Sequence, residues 1–183
     1  MDKDLKNMTN SQLKELCMKL GYPAYQGQYL FSFIHAKNEE NIDQITTLSK
    51  ACRESLKAGG YFISRLKVLK HLTDSDGTAK FLFEMSDGVT VESVLMDDDG
   101  RKTLCVSCQA GCRMGCAFCA TGKLKFARDL TAGEIADQVN QASEIAGRIS
   151  NVVYMGMGEP MDNYDQVVRD RKSTRLNSSH RIR

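Results

Sequence analysis

Tryptophan is absent from the 183-residue chain and proline occurs only twice, and neither scarcity excludes a function by itself. Other absences are more restrictive. No apolar run approaches the roughly 20 residues that a membrane-spanning helix needs, which excludes such a span. The opening Met1-Asp2-Lys3-Asp4-Leu5-Lys6 lacks the apolar core of a secretory signal, so the chain reads as cytoplasmic. An excess of one charge is missing too. The formal charge is +2, from 25 Lys+Arg and 23 Asp+Glu, which argues neither for nor against a nucleic-acid partner. Hydrophobic residues at 42% and charged ones at 26% describe an ordinary globular chain, long enough for one domain or two small ones.

Cysteine is what the chain does have. Five of its seven cysteines fall between Cys105 and Cys119. In a reducing compartment, clustered thiols bind metal or do redox chemistry more often than they form staples. The outlying Cys17 and Cys52 sit in helical patterns and read as core.

The periodicity divides the chain. Residues 1–62 read as a helical module. Thr9 and Gln12 fit a capping box, and Leu13, Leu16, Cys17 and Leu20 form a stripe that Gly21 ends. A second helix after Tyr22-Pro23 carries Tyr29, Leu30, Phe33 and Ile34, and a third begins near Ser49. Residues 63–97 alternate with period two and read as a β-meander. Its turns are Ser75-Asp76-Gly77, Asp87-Gly88 and Asp97-Asp98-Asp99-Gly100. From 98 to 169 the pattern is strand, helix, strand. Residues 101–106 and a buried 151–155 flank a helix over 131–146, which starts at a Thr131/Glu134 capping box and presents Ile135, Val139, Ala142 and Ile145. The fold class is α/β, with a helical module and small meander ahead of the start of a barrel.

Cys112-Arg-Met-Gly-Cys116-Ala-Phe-Cys119 spaces three thiols as C-x3-C-x2-C. Three thiolates can wrap one iron-sulfur cluster and leave one iron open. Zinc on Cys105-x2-Cys108 and Cys116-x2-Cys119 is an alternative, although the pairs lie close together and Cys112 would be surplus. A redox pair at Cys105-x2-Cys108 is another. Further on, Met155-Gly-Met-Gly-Glu-Pro160 follows the second strand.

The C-x3-C-x2-C loop with Phe118 before its last cysteine resembles the radical S-adenosylmethionine (SAM) enzymes. With Val91-Glu-Ser-Val94, Thr103-Leu-Cys-Val-Ser107, Phe118-Cys-Ala-Thr-Gly122 and the Met155–Pro160 loop, it is similar to the RlmN/Cfr family, and to RlmN most. The resemblance covers residues 10 to 168. It implies a partial (β/α) radical SAM barrel, with a [4Fe-4S] cluster on Cys112, Cys116 and Cys119 and Phe118 packed beside it. It implies SAM bound at Gly158 and Glu159. The implied substrates are 23S ribosomal RNA and tRNA, methylated at adenine C2. C8 methylation is the Cfr-like alternative, and a zinc-binding RNA module lies outside the family altogether. An external electron donor such as flavodoxin is also implied. In the family a methylated cysteine delivers the carbon, which adds to C2; a base then removes the C2 proton and a disulfide forms. Glu92 matches that base and Cys105 matches one cysteine of the disulfide. The methyl-carrying cysteine and later barrel strands have no counterpart here, so the chain reads as truncated and inactive on its own.

Residues 170–183 fit neither the family nor an amphipathic pattern. They read as an RNA-binding basic tail or as an artefact, and the second is favoured. Asp170 to His180 is what one frame of a common sequencing adapter encodes, codon by codon. Without residues 170–183, 20 basic residues face 22 acidic ones, so the basic balance is no argument for RNA.

Overall fold

The computed structural model describes residues 3–171, and the reading of the tail lies outside them but for Asp170 and Arg171. The chain divides into two compact units. Among the described residues, one comprises 3–64 with 169–171, and the other is Arg65–Val168.

The first unit holds helices α1 (Asn10–Lys19), α2 (Ala24–Ala36) and α3 (Lys50–Ala58). Their starts follow local rules. Thr9 Oγ1 accepts the Gln12 N–H while the Gln12 side chain accepts the Thr9 N–H, and Ser49 caps α3 through the Cys52 N–H. Such caps satisfy amide groups that the first turn leaves unpaired. Gly27 lets α2 lie directly on α1, since a Cβ there would sit 2.4 Å from the Lys14 nitrogen. That contact sets the rotation of α2. Leu30, Phe31 and Ile34 turn inward, whereas Tyr29, expected on the apolar stripe, is 41% exposed and Phe33 is half-buried. Cys17 and Cys52 are both fully buried, as expected of core residues. Burial, with Cys52 alongside, pushes the Cys17 thiol up to about 12.

His35 packs on the Phe31 ring at 4.6 Å, and neither ring nitrogen meets a partner. Burial first, and then the charge of Lys6, lowers its pKa from 6.5 to about 4. The folded unit therefore resists a proton that the unfolded chain accepts. Stability is full above about pH 6.5 and is expected to fall as pH drops toward 4. Denaturant midpoints at pH 7 and pH 4.5 would show this, and His35→Leu should flatten the difference.

In the second unit, β1 (Lys67–Thr73), β2 (Ala79–Glu84), β3 (Thr90–Asp98) and β4 (Arg101–Cys105) pair antiparallel in sequence order. The tight β3–β4 turn has positive φ at both Asp99 (49°) and Gly100 (83°), the twist that a two-residue hairpin requires. The last strand among the described residues pairs parallel to β4 and completes one sheet that runs unbroken across residues 97 and 98. Helix α4 (Ala132–Ala146) connects these parallel strands. Phe81, Phe83, Val91, Leu95 and Leu104 form one core with Ile135 and Ala142 of α4.

Two expectations about this unit need correcting. Ile145, expected on the apolar face of α4, is 47% exposed, while Asp137 and Gln138 are buried. Their polarity is fully used. Asp137 accepts the Leu66 N–H at 2.6 Å, and the Gln138 amide joins Ser93 Oγ to both backbone groups of Ser107. A buried amide or carboxylate is tolerated when paired in this way. The 151–155 strand is shorter than expected and not buried. After β5 (Gln109–Ala110) and β6 (Arg128–Asp129), a two-stranded ribbon, it is β7, Asn151–Val153. It is half-buried, being the sheet edge among the described residues, and Met155 is 80% exposed. The last helix, α5, is Tyr164–Asp170. Among the described residues, no helix is long and apolar enough to cross a membrane.

Candidate functional site

The loop carrying Cys112, Cys116 and Cys119 spans the gap between β5 and β6. Its base is closed where the Ala127 N–H donates to Ala110 C=O at 2.8 Å. Beside this, Gly111 passes so close to Lys125 that a Cβ would lie 2.5 Å from its carbonyl. A turn inside the loop has the Cys119 N–H donating to Cys116 C=O at 3.0 Å. Cys116 is exposed, Cys112 and Cys119 are half-buried, and all seven cysteines are free thiols. Phe118 is 93% exposed, so in this structure it covers nothing. Among the described residues no three His, Cys, Asp or Glu side chains are gathered as a ligand set. The three thiols thus share one loop without their sulfurs being drawn together.

An all-sulfur donor set on an open loop fits an iron-sulfur cluster with one free iron. The zinc alternative fits less well. Cys108 is 2% exposed and its thiol is pushed up to about 12, by burial first and then by Glu159. Burial raises Cys105 as well, against a lowering contact from the Met155 backbone. The zinc alternative would have to join the buried Cys108 thiol to the exposed Cys116 and leave Cys112 unused.

The Met155–Pro160 loop leaves β7 alongside the segment that leaves β4, and the two are zipped together. The Gly156 N–H donates to Val106 C=O at 3.1 Å, the Met157 N–H to Ser107 Oγ at 2.9 Å, and the Cys108 N–H to Met157 C=O at 2.9 Å. Gly158 has φ +99° and rests on Gln109, where a Cβ would be 2.5 Å from the Gln109 Cβ. The Glu159 N–H donates to Gln109 Oε1, and its carboxylate accepts the Met161 N–H at 3.0 Å.

Glu92 lies on β3, on the face of the sheet opposite the core. Its register partner is Leu82, and Val94, the next residue on that face, pairs with Cys105. Glu92 and Cys105 are therefore diagonal neighbours across two strands, a relation of about 7–8 Å between backbones. The Glu92 carboxylate is 2.7 Å from Lys80 Nζ, both being about half exposed. Its backbone is held by Ser107 Oγ, which donates to its carbonyl at 2.6 Å, and by Met157 Sδ, which accepts its N–H at 3.4 Å. A cleft of about 280 Å³ joins Glu92 and Leu82 to Ala120, Thr121 and Leu124 of the cysteine loop and to Met157.

All seven expected site residues thus fall on the unit Arg65–Val168. The cleft brings Glu92 to the cysteine loop and the Gly-Met-Gly loop. Sequence reasoning missed the buried residues that tie these pieces, Ser107, Gln109 and Gln138. Their only signal is polarity in segments that should otherwise be apolar.

Residues 106–182 match the family model of the radical SAM superfamily, and residues 3–60 match that of the ribosomal RNA large subunit methyltransferase N-terminal domain. A probable dual-specificity RNA methyltransferase RlmN of Clostridium novyi is 44% identical over 91% of this chain and 49% of its own length. The RlmN of Desulfosudis oleivorans is 40% identical over 92% of this chain and 46% of its own length. A crystal structure of a radical SAM methyltransferase from Sphaerobacter thermophilus superposes with TM-score 0.81 at 36% identity, covering 94% of this chain and 52% of that one. The chain spans about half the length of the relatives it matches. By sequence and by fold, the chain is similar to about half of a radical SAM methyltransferase of RlmN type.

Proposed function

We propose that this chain carries the cluster- and SAM-binding part of a cytoplasmic enzyme that methylates adenine C2 in 23S ribosomal RNA and tRNA. Cys112, Cys116 and Cys119 hold a [4Fe-4S] cluster, Gly158 and Glu159 receive SAM, Glu92 is the base, and Cys105 enters the resolving disulfide. The partners are the two RNAs and an external electron donor. Bound cluster and SAM supply radical chemistry, which an electron-poor aromatic carbon without a lone pair requires.

One observation carries the reading: the cleft joins the only carboxylate among its walls, Glu92, to both loops that the cofactors would use. The chain's own tasks follow from where the residues stand. The cysteine loop offers three soft donors, and the fourth iron position stays free for a ligand. The bare backbone at Gly158 permits close approach, and the Glu159 carboxylate can accept hydrogen bonds from an ammonium group. Glu92, open to solvent on one side, can take a proton from a base lying in the cleft and pass it to water.

Anaerobic reconstitution with iron and sulfide tests the site. The parent chain is expected to turn brown and hold about four irons. Cys116→Ala, at an exposed position, should keep its circular dichroism spectrum and lose the colour. A colourless protein that takes up zinc instead would overturn the reading.

A further inference from the structure

Gln109 is fully buried, and every hydrogen-bonding direction used by its amide points to a different part of the site. Its Oε1 accepts the Glu159 N–H at 2.9 Å. Its Nε2 donates to Asp129 Oδ1 on β6 and to Asp162 Oδ2 beyond the Gly-Glu-Pro turn, each at 2.8 Å. The same two carboxylates face Arg113, the residue next to Cys112. Arg113 Nη1 donates to Asp162, its Nη2 is 3.8 Å from Asp129, and its guanidinium lies 3.7 Å over the Phe126 ring. Asp162 is held below the usual carboxylate range, first by Gln109 and then by Arg113.

We infer that Gln109 is a positioning residue that sets the register between the cysteine loop and Glu159. It does so by holding Glu159 directly and by fixing the two carboxylates on which Arg113 seats Cys112. The inference rests on the proposed use of these loops for a cluster and SAM. Only a carboxamide satisfies this position. Glutamate would present oxygen to Asp129 and Asp162 where donors are needed, and leucine would leave the Glu159 N–H without its acceptor. Gly158 is the complementary half of the device, because its missing Cβ is what lets the loop rest on Gln109. Cluster uptake depends mainly on the three thiols, so it should survive loss of Gln109. Recognition of SAM depends on the Glu159 carboxylate standing correctly, so it should not.

The test uses the reconstituted intact enzyme and two readouts, iron content and the change in the reduced cluster's electron paramagnetic resonance spectrum as SAM is titrated. Gln109→Leu should retain the parent's iron content while the Kd for SAM rises roughly tenfold to a hundredfold, the scale of one or two lost buried hydrogen bonds. Asp162→Asn, at a more exposed position, guards against misfolding of the first variant and should weaken SAM severalfold. In Gln109→Glu, adding Asp162→Asn should recover part of the affinity, because the asparagine amide can donate to the new carboxylate. On the cofactor-free chain, hydrogen exchange at the Glu159 amide should quicken in Gln109→Leu. A parent cluster that SAM perturbs, together with unchanged SAM affinity in both single variants, would overturn the role of Gln109 alone. Equal loss of iron and SAM binding would make it a packing residue, which also overturns the proposal. A parent that never binds SAM would bring down the site reading and this inference together.

Discussion

Replacing Glu92 by glutamine in the intact enzyme is expected to cut methylation by roughly 10²–10⁴-fold, the usual contribution of a positioned base, and to leave RNA covalently attached to protein. The substitution keeps shape and removes the proton acceptor. The surroundings make it a clean test, because the Glu92 backbone is anchored independently of its side chain. The strand register with Leu82, the Ser107 hydroxyl on its carbonyl and Met157 Sδ on its N–H all remain. The side chain gives up only its pair with Lys80, which is about half exposed, and such pairs are worth under about 1 kcal/mol. Stability should therefore hold while turnover falls. A slowly migrating RNA–protein species on a denaturing gel, absent from the parent, would report the stalled adduct. Unchanged turnover would defeat the base assignment.

Gly158→Ala should be among the most destabilising single-methyl additions in the chain. Two costs add at this position. The backbone has φ +99°, where a side chain is strained by roughly 1–2 kcal/mol. The new Cβ would also lie 2.5 Å from the Gln109 Cβ and 2.7 Å from its nitrogen, and relieving such overlap costs about 1–3 kcal/mol. A loss of roughly 2–5 kcal/mol is expected from urea unfolding. Gly88→Ala is the matched control, since Gly88 has φ +81° but nothing within 4 Å of an added Cβ. It should show the conformational cost alone. Equal losses in the two variants would mean that the approach of the Gly158 loop to Gln109 is not close in solution.

Much of the architecture was legible because it rests on interactions a few residues long. The Thr9/Gln12 and Thr131/Glu134 capping boxes stand where the sequence placed them, and both use the expected reciprocal bonds. The Asp-Gly turns separate the antiparallel strands, and β4, α4 and β7 form the expected parallel unit. What misled was burial inferred from period alone. Tyr29 and Ile145 carry the apolar character of their stripes but face solvent, whereas Asp137 and Gln138 are buried. A hydrophobic pattern locates a face only to within about one position on either side. The partner decides the rest, through Gly27 against Lys14 in the first unit and through the Ser93–Gln138–Ser107 bonds in the second.

The candidate site shows the same division. Cysteine spacing carried its own chemical meaning, because three soft donors within eight residues of one loop have few uses. Glu92 had no such signal; as one glutamate on an alternating strand it was picked out by family resemblance alone. Its relation to Cys105 arises from strand register, and its relation to the cysteine loop from the cleft that Ala120, Thr121 and Leu124 of that loop share with it. The sequence by itself determined the helix caps, the hairpin turns, the parallel unit and the sulfur donor set, since each depends on residues close along the chain. The tertiary structure alone decided which polar residues are buried, that Glu92 and Cys105 share a face, and that Gln109 holds Glu159, 50 residues further along the chain, since contacts at such separation are set by packing and register.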